Sequence, residues 1–165
     1  MKLLSLKCLS FQILAMFLIL SLQRPRAAAE ADSPKLVGTW KLNVAKSQMS
    51  GTPPRSLIIG FEWDAKTQTM NHTAERVTAA GERITAGGWA AKYDGKDYPW
   101  STGGSQYTHV RLKRTDASTS DVSLRKDGRD VMTFHQVVSP DGKTLTLTRK
   151  RVGQDGADTE IYDRQ

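Results

Sequence analysis

The chain has 165 residues and is basic, with 24 lysines and arginines against 17 aspartates and glutamates and a formal net charge of +7. Four of the basic residues lie within the first 26 positions; without them the net charge falls to +3, and the remaining charges are interspersed along the chain. Interspersed charge is typical of a solvated surface rather than a phosphate-binding groove, so no nucleic-acid partner is expected.

Residues 1–29 have the pattern of a secretory signal peptide. Lysines precede an apolar run over residues 9–22, and Ala27-Ala28-Ala29 offers a small-residue cleavage site. The run is shorter than the roughly 20 residues that a spanning helix needs, which disfavours the alternative of an uncleaved anchor. We therefore predict export to the periplasm or the extracellular space, with no stable membrane insertion after cleavage.

The predicted mature chain, residues 30–165, is long enough to form one domain with its own core. The only cysteine, Cys8, lies in the predicted signal peptide. Disulfides, thiol catalysis and cysteine-ligated metals are thereby excluded from the predicted mature protein.

The mature chain is predicted to begin with a strand over residues 36–44. The following stretch, residues 45–55, contains Gly51, Pro53 and Pro54, which disfavour a helix. Residues 56–63 then alternate, with Leu57, Ile59, Phe61 and Trp63 on one face. Further strands are predicted near residues 68–78, 83–93, 97–101, 106–114, 119–126, 130–138, 144–152 and 158–164.

Asp-Gly pairs mark the turns between these strands. The pairs are Asp94-Gly95, Asp127-Gly128, Asp141-Gly142 and Asp155-Gly156, and the last three are spaced 14 residues apart. Aspartate and glycine tolerate the positive φ of tight hairpins, and the spacing leaves about ten residues for each strand. The sequence predicts an all-β, antiparallel up-and-down meander of about 8–10 strands, closed into a barrel; a flattened two-sheet sandwich is the alternative.

The first strand also carries a recognisable motif. Gly38-Thr39-Trp40 resembles the Gly-x-Trp signature of lipocalins, and Val37-Gly38-Thr39-Trp40-Lys41-Leu42 resembles the opening of intracellular fatty-acid-binding proteins. The wider chain resembles bacterial secreted lipocalin-like domains of unassigned function; the matching segments are Trp40-Lys41-Leu42-Asn43, Lys46-Ser47, Tyr93-Asp94-Gly95-Lys96-Asp97-Tyr98-Pro99 and Ser139-Pro140-Asp141-Gly142-Lys143-Thr144-Leu145-Thr146. The resemblance implies a calycin-type, lipocalin-like barrel over residues 30–165.

The same resemblance implies how one barrel end is closed. Gly38 and Trp40 would lie there, with the indole beneath an arginine from a late strand. Arg149 or Arg151 is the candidate for this arginine. A guanidinium over an indole face is worth roughly 0.5–2 kcal/mol.

Two features of the chain differ from fatty-acid-binding proteins. Residues 45–55 are too few for the helix-turn-helix lid of that family, and Glu160-Ile161-Tyr162 has an acidic residue where the family's last strand has Arg-x-Tyr. A negative charge on Glu160 would repel a ligand carboxylate. The resemblance therefore implies a barrel without implying a fatty-acid ligand.

Aromatic residues are the candidate ligand-binding side chains. The predicted lining consists of Phe61, Trp63, Trp89, Tyr93 and Tyr162. Large aromatic surfaces can stack on flat or apolar ligands, although packing of a small barrel core explains the same residues.

The sequence offers little for catalysis or metal binding. His72, His109 and His135 could form a zinc site only if they converge, and we interpret them as structural histidines. No Gly-x-Ser-x-Gly motif or phosphate-binding glycine motif is present. No enzyme activity, metal or cofactor is expected.

The sequence leaves two candidate functions. The first is a secreted or periplasmic binding protein for a small hydrophobic or amphipathic ligand. The second is a non-catalytic envelope or interaction domain with a packed barrel and no ligand. The volume and polarity of the barrel interior distinguish the two.

Overall fold

The computed structural model describes residues 33–101 and 106–165, with the side chain of Ala86 excepted. It contains ten strands: β1 (Gly38–Leu42), β2 (Ser56–Asp64), β3 (Thr69–Val77), β4 (Arg83–Ala91), β5 (Asp94–Pro99), β6 (His109–Arg114), β7 (Thr119–Lys126), β8 (Arg129–Val138), β9 (Thr144–Arg151) and β10 (Asp158–Arg164). A single turn of 3-10 helix, Val44–Lys46, follows β1. The predicted all-β meander is confirmed, whereas the predicted signal peptide lies outside the described residues.

All ten strands belong to one antiparallel sheet in the order β4-β3-β2-β1-β10-β9-β8-β7-β6-β5. Strands that are neighbours in sequence pair with each other, except for β4 and β5, and pairing of β1 with β10 joins the two halves of the meander. The edge strands β4 and β5 meet at an isolated bridge between Trp89 and Trp100, beside which the Ser101 N–H donates to the Gly88 carbonyl over 3.0 Å. The sheet is thus curled into a barrel whose seam is only partly paired.

Local turn chemistry explains several of the hairpins. Asp127 and Gly128 both have positive φ, 50° and 76°, as a two-residue type I′ turn requires. The first and third Asp-Gly pairs differ in role: Asp141-Gly142 lies in the β8–β9 loop, but Asp94-Gly95 begins β5, where the ladder shifts register. The predicted turn at Asp94-Gly95 was therefore misplaced, because the positive φ of Gly95 serves a bulge after the turn.

Alternation along the strands sends one set of side chains to the interior. The largest fully buried side chains are Trp40, Phe61, Met70, Val110, Leu112, Leu145 and Tyr162. Burying a large apolar side chain contributes roughly 1.5–3 kcal/mol, so this interior is the main source of stability. No helix within residues 33–101 and 106–165 is long and apolar enough to cross a membrane.

Trp40 is fully buried beneath Arg164, and we call the end of the barrel around this pair the closed end. The Trp40 Nε1–H donates to the Leu36 carbonyl over 2.8 Å, and Cζ of Arg164 lies 4.1 Å from the centroid of the Trp40 ring. Arg164 Nη1 and Nη2 also donate to the carbonyls of Val37 and Lys35, each over 2.7 Å. The Arg164 side chain therefore fixes the segment before β1 onto the indole.

The prediction that Arg149 or Arg151 lies over Trp40 was wrong. Trp40 is the direct cross-strand partner of Arg164, whereas Arg149 pairs with Asp158 at the far end of β10. Gly38 has a φ of +136°, and a Cβ there would collide with the Arg164 guanidinium. A side chain at this position would displace the arginine from the indole.

Candidate functional site

A cavity of about 350 Å³ lies inside the curled sheet. Its volume is within the range of small-molecule sites, at the lower end. The apolar part of its wall is formed by Leu57, Ile59, Phe61, Ala74, Trp89, Val122, Leu124, Met132, Phe134 and Leu147, and polar and charged side chains line the rest. Side chains would fill the interior of a packed barrel, whereas this interior retains an open space.

The sequence builds this wall by period-two alternation on β2 and β3. Leu57, Ile59 and Phe61 face the cavity from β2, and every second residue of β3 faces it from the neighbouring strand. Ala74 is the cross-strand partner of Ile59 and lies between the larger residues His72 and Arg76. The small side chain of Ala74 helps to leave the space open.

A buried polar group, the Glu160 cluster, stands in the wall and consists of Glu160, Tyr162, Arg149 and Asp158. The Glu160 side chain is 6% exposed; its Oε2 accepts from the Tyr162 hydroxyl over 2.7 Å, and its Oε1 lies 3.3 Å from Arg149 Nε. Arg149 Nη2 forms a second ion pair with Asp158. Because β10 alternates, Asp158, Glu160 and Tyr162 all lie on its inner face.

The electrostatics of the cluster keep the Tyr162 hydroxyl protonated. Burial raises the pKa of Tyr162 well above its usual value, and the nearby Glu160 carboxylate raises it further. Burial by itself lowers the pKa of Arg149, but the charges of Glu160 and Asp158 outweigh it, so the net shift is upward. The cluster thus pairs one guanidinium with two carboxylates and a neutral phenol.

His72 forms part of another section of the wall. Its ring stacks on Trp89 at 5.0 Å with an interplanar angle of 9°, and it lies 5.0 Å from the ring of Phe61. Burial lowers the pKa of His72 to about 4, so the imidazole is neutral near pH 7. Within the described part of the chain, its Nδ1 and the Nε1 of Trp100 are buried without a hydrogen-bond partner.

Polar residues also line the mouth of the cavity, which we define as Arg76, Gln106, Tyr107 and Arg151. Arg76 and Arg151 are exposed, and neither forms an ion pair with a carboxylate among residues 33–101 and 106–165. The sequence did not predict Arg76, Gln106 or Tyr107 as cavity residues. Nothing in their local sequence distinguishes them from ordinary surface positions.

The predicted ligand-binding residues fall into two groups. Phe61, Trp89 and Tyr162 line the cavity. Trp63 and Tyr93 do not: their rings lie 6.2 Å apart beside a separate depression, where Arg114 is 5.6 Å from the Tyr93 ring. Burial raises the pKa of Tyr93 to about 12.

Arg149 and Arg151, predicted to close the barrel, both line the cavity instead. His72 also lines it, which its position directly opposite Phe61 could have indicated, because paired residues in a sheet share a face. The other two histidines lie elsewhere: His109 is exposed, and His135 pairs with Asp121 at 2.7 Å. The described residues contain no group of three or more histidine, cysteine or acidic side chains placed to hold a metal ion.

No protein-family model and no curated protein significantly matches the chain. Several solved structures do. A fatty-acid-binding protein of Schistosoma mansoni in complex with arachidonic acid matches with a TM-score of 0.59 at 14% identity, covering 79% of this chain and 96% of that one. Fatty-acid-binding protein 1 of Echinococcus granulosus matches with a TM-score of 0.58 at 13% identity, covering 79% and 97%.

A third similar structure is As-p18, described as an extracellular fatty-acid-binding protein. It has a TM-score of 0.53 and 16% identity and covers 80% of this chain and 98% of that one. The predicted resemblance to the calycin-type fold of fatty-acid-binding proteins is thereby confirmed. At this level of identity the likeness concerns the fold alone, and the bacterial and secreted character stays a prediction.

Proposed function

We propose that the protein is a non-catalytic binding protein that holds one small hydrophobic or amphipathic molecule inside the curled sheet. The observation that carries this proposal is the cavity of about 350 Å³, whose wall combines apolar side chains with polar and charged ones. Removing apolar surface from water contributes about 25 cal/mol per Å², so a ligand with an apolar body gains free energy by entering. The aromatic side chains Phe61 and Trp89, whose rings are tilted against each other, provide broad contact surfaces.

A packed domain without a ligand is the weaker candidate. In such a domain, side chains would fill the interior to the density of an organic crystal. Here an open volume remains, and polar atoms of His72 and Trp100 near it have no partner in the described part of the chain. Each unsatisfied buried group costs about 1–3 kcal/mol, which a merely structural interior would be expected to avoid.

The comparisons support lipids as the first ligands to test, because one of the similar structures contains arachidonic acid. Residues 1–29 support an exported binding protein, located in the periplasm or outside the cell. N-terminal sequencing of the protein recovered from the periplasm or medium tests the location. A first residue near Glu30 is expected, and retention of Met1 on intracellular protein would contradict it.

The binding function is tested by titrating the purified protein with Nile red, a neutral apolar dye, and by native mass spectrometry of the complex. We expect fluorescence enhancement that saturates and one dye molecule per chain. An unsaturable signal, or failure of this dye and of long-chain lipids to bind, would contradict the proposal.

A further inference from the structure

The Glu160 cluster bears on which polar group a ligand can bring into the cavity. We propose that Glu160 is a specificity-determining residue and that the site selects an uncharged amphiphile with a hydroxyl group over the carboxylate with the same chain. This inference deepens the proposed function and rests on it.

The first step concerns charge. Arg149 is the only cation in the Glu160 cluster, and it is already paired with Glu160 and Asp158. Asp158 is held further by the Ser50 backbone N–H at 2.8 Å and by the Ser50 hydroxyl at 3.2 Å. No positive charge is left over in the cluster, so a ligand carboxylate beside Glu160 would meet a like charge in a poorly solvated site.

The second step concerns hydrogen-bond polarity. The Tyr162 hydroxyl donates its proton to Glu160, which leaves its oxygen free to act as an acceptor. The remaining lone pairs of the Glu160 carboxylate are acceptors as well. A ligand hydroxyl can donate to these oxygens, whereas a carboxylate has no proton to give.

The third step concerns the rest of the wall. Neutral His72 and the indole of Trp100 add no positive charge that would offset a ligand carboxylate. Arg76 and Arg151 are positive and line the same cavity, and the charge of Arg76 acts on the Tyr162 hydroxyl. Both guanidinium groups are exposed, so water weakens their attraction for a ligand carboxylate more than it weakens the repulsion from buried Glu160.

The experiment compares three ligands with the same twelve-carbon chain: dodecan-1-ol, dodecanoate and dodecylammonium. Each displaces Nile red from the full mature chain near pH 7, below its micelle concentration. We expect dodecan-1-ol to bind at least about tenfold more tightly than either charged compound, since only the alcohol avoids charge burial and can donate to the cluster.

Glu160→Gln tests the residue itself. Glutamine keeps the size of the side chain and an acceptor for Tyr162, but it removes the negative charge and releases Arg149 from one partner. We expect the ratio of the affinity for dodecan-1-ol to that for dodecanoate to fall at least about tenfold. Asp163→Asn is the control, because Asp163 is a half-exposed carboxylate on the same strand that pairs with Lys46 outside the cavity.

The outcomes separate the inference from the proposed function. If dodecanoate or dodecylammonium binds wild type as tightly as dodecan-1-ol, the specificity inference is overturned while binding stands. If no dodecyl compound displaces Nile red, or Nile red does not bind, the proposed function fails and the inference with it. If a thermal unfolding assay shows that Glu160→Gln does not fold, the relative affinities of the wild-type protein for the three ligands still test the specificity inference.

Discussion

His72 is the residue whose environment most changes its chemistry. A ring stacked between aromatic side chains, with no hydrogen-bond partner in the described part of the chain, cannot easily accept a proton. Its folded-state pKa of about 4 lies below the usual value of 6.5. The unfolded chain therefore takes up a proton first as the pH falls, and folding stability is lost progressively between about pH 6.5 and pH 4.

This linkage predicts a measurable pH effect. Between pH 7 and about pH 4.5, wild type should lose about 2 kcal/mol more unfolding free energy than His72→Phe, which cannot be protonated and fits the same stacked site. Urea unfolding at both pH values measures the difference. His109→Asn removes an exposed imidazole and serves as the control, expected to follow wild type. Equal losses in wild type and His72→Phe would show that the buried ring does not titrate in this way.

Arg164 predicts a second residue-scale effect. Its guanidinium covers Trp40 and donates to three carbonyls, those of Lys35, Val37 and Gly142. Arg164→Met should lower the free energy of unfolding by about 2–3 kcal/mol, because it removes these charged hydrogen bonds and the cation–π contact.

Arg151→Met is the matched control for this measurement, since Arg151 is exposed and has no ion pair in residues 33–101 and 106–165. It should change the free energy of unfolding by less than about 0.5 kcal/mol. Equal effects of the two substitutions in urea unfolding would restore the original expectation that a β9 arginine closes the barrel.

At the scale of elements, β10 connects the two ends of the molecule. It begins with Asp158 and Glu160 in the polar cluster and ends with Arg164 at the closed end, about 14 Å from Glu160 at the rise of an extended strand. One seven-residue strand thus supplies both the arginine that covers Trp40 and the carboxylate that faces the cavity.

The same strand illustrates what sequence alone can predict. Alternation and Asp-Gly turns predicted nearly all strand positions, because these signals are local. The pairing of β1 with β10 joins residues 120 to 124 positions apart, and no local signal sets its register. For this reason Glu160 could be singled out from the sequence, whereas its ion pair with Arg149 and the true partner of Trp40 could not.

The predicted ligand-binding residues also show which features a local sequence signal can predict and which it cannot. Phe61 and Trp63 lie on the inner face of one strand, but only Phe61 reaches the cavity; Trp63 belongs to the end occupied by Tyr93. Parity along a strand predicts which face a residue occupies. It does not predict the level within the barrel at which the packed interior gives way to open space.

At the scale of the whole molecule, the curled sheet combines a packed closed end with a partly open interior. Trp40 and Leu145 are fully buried, whereas the cavity lies among strands whose edge seam is paired at a single bridge. Buried side chains throughout the interior supply the stability, and the wall around Phe61 and Ala74 borders the open space. The central claim is that binding takes place in this interior.

Nile red titration of Ala74→Trp against Thr73→Trp tests that claim most directly. Ala74 faces the cavity and Thr73, its neighbour on β3, is exposed on the opposite face. An indole at position 74 would fill much of the open volume, so the affinity should fall at least about tenfold, while Thr73→Trp should bind within about twofold of wild type. Equal affinities in two folded variants would contradict binding inside the curled sheet.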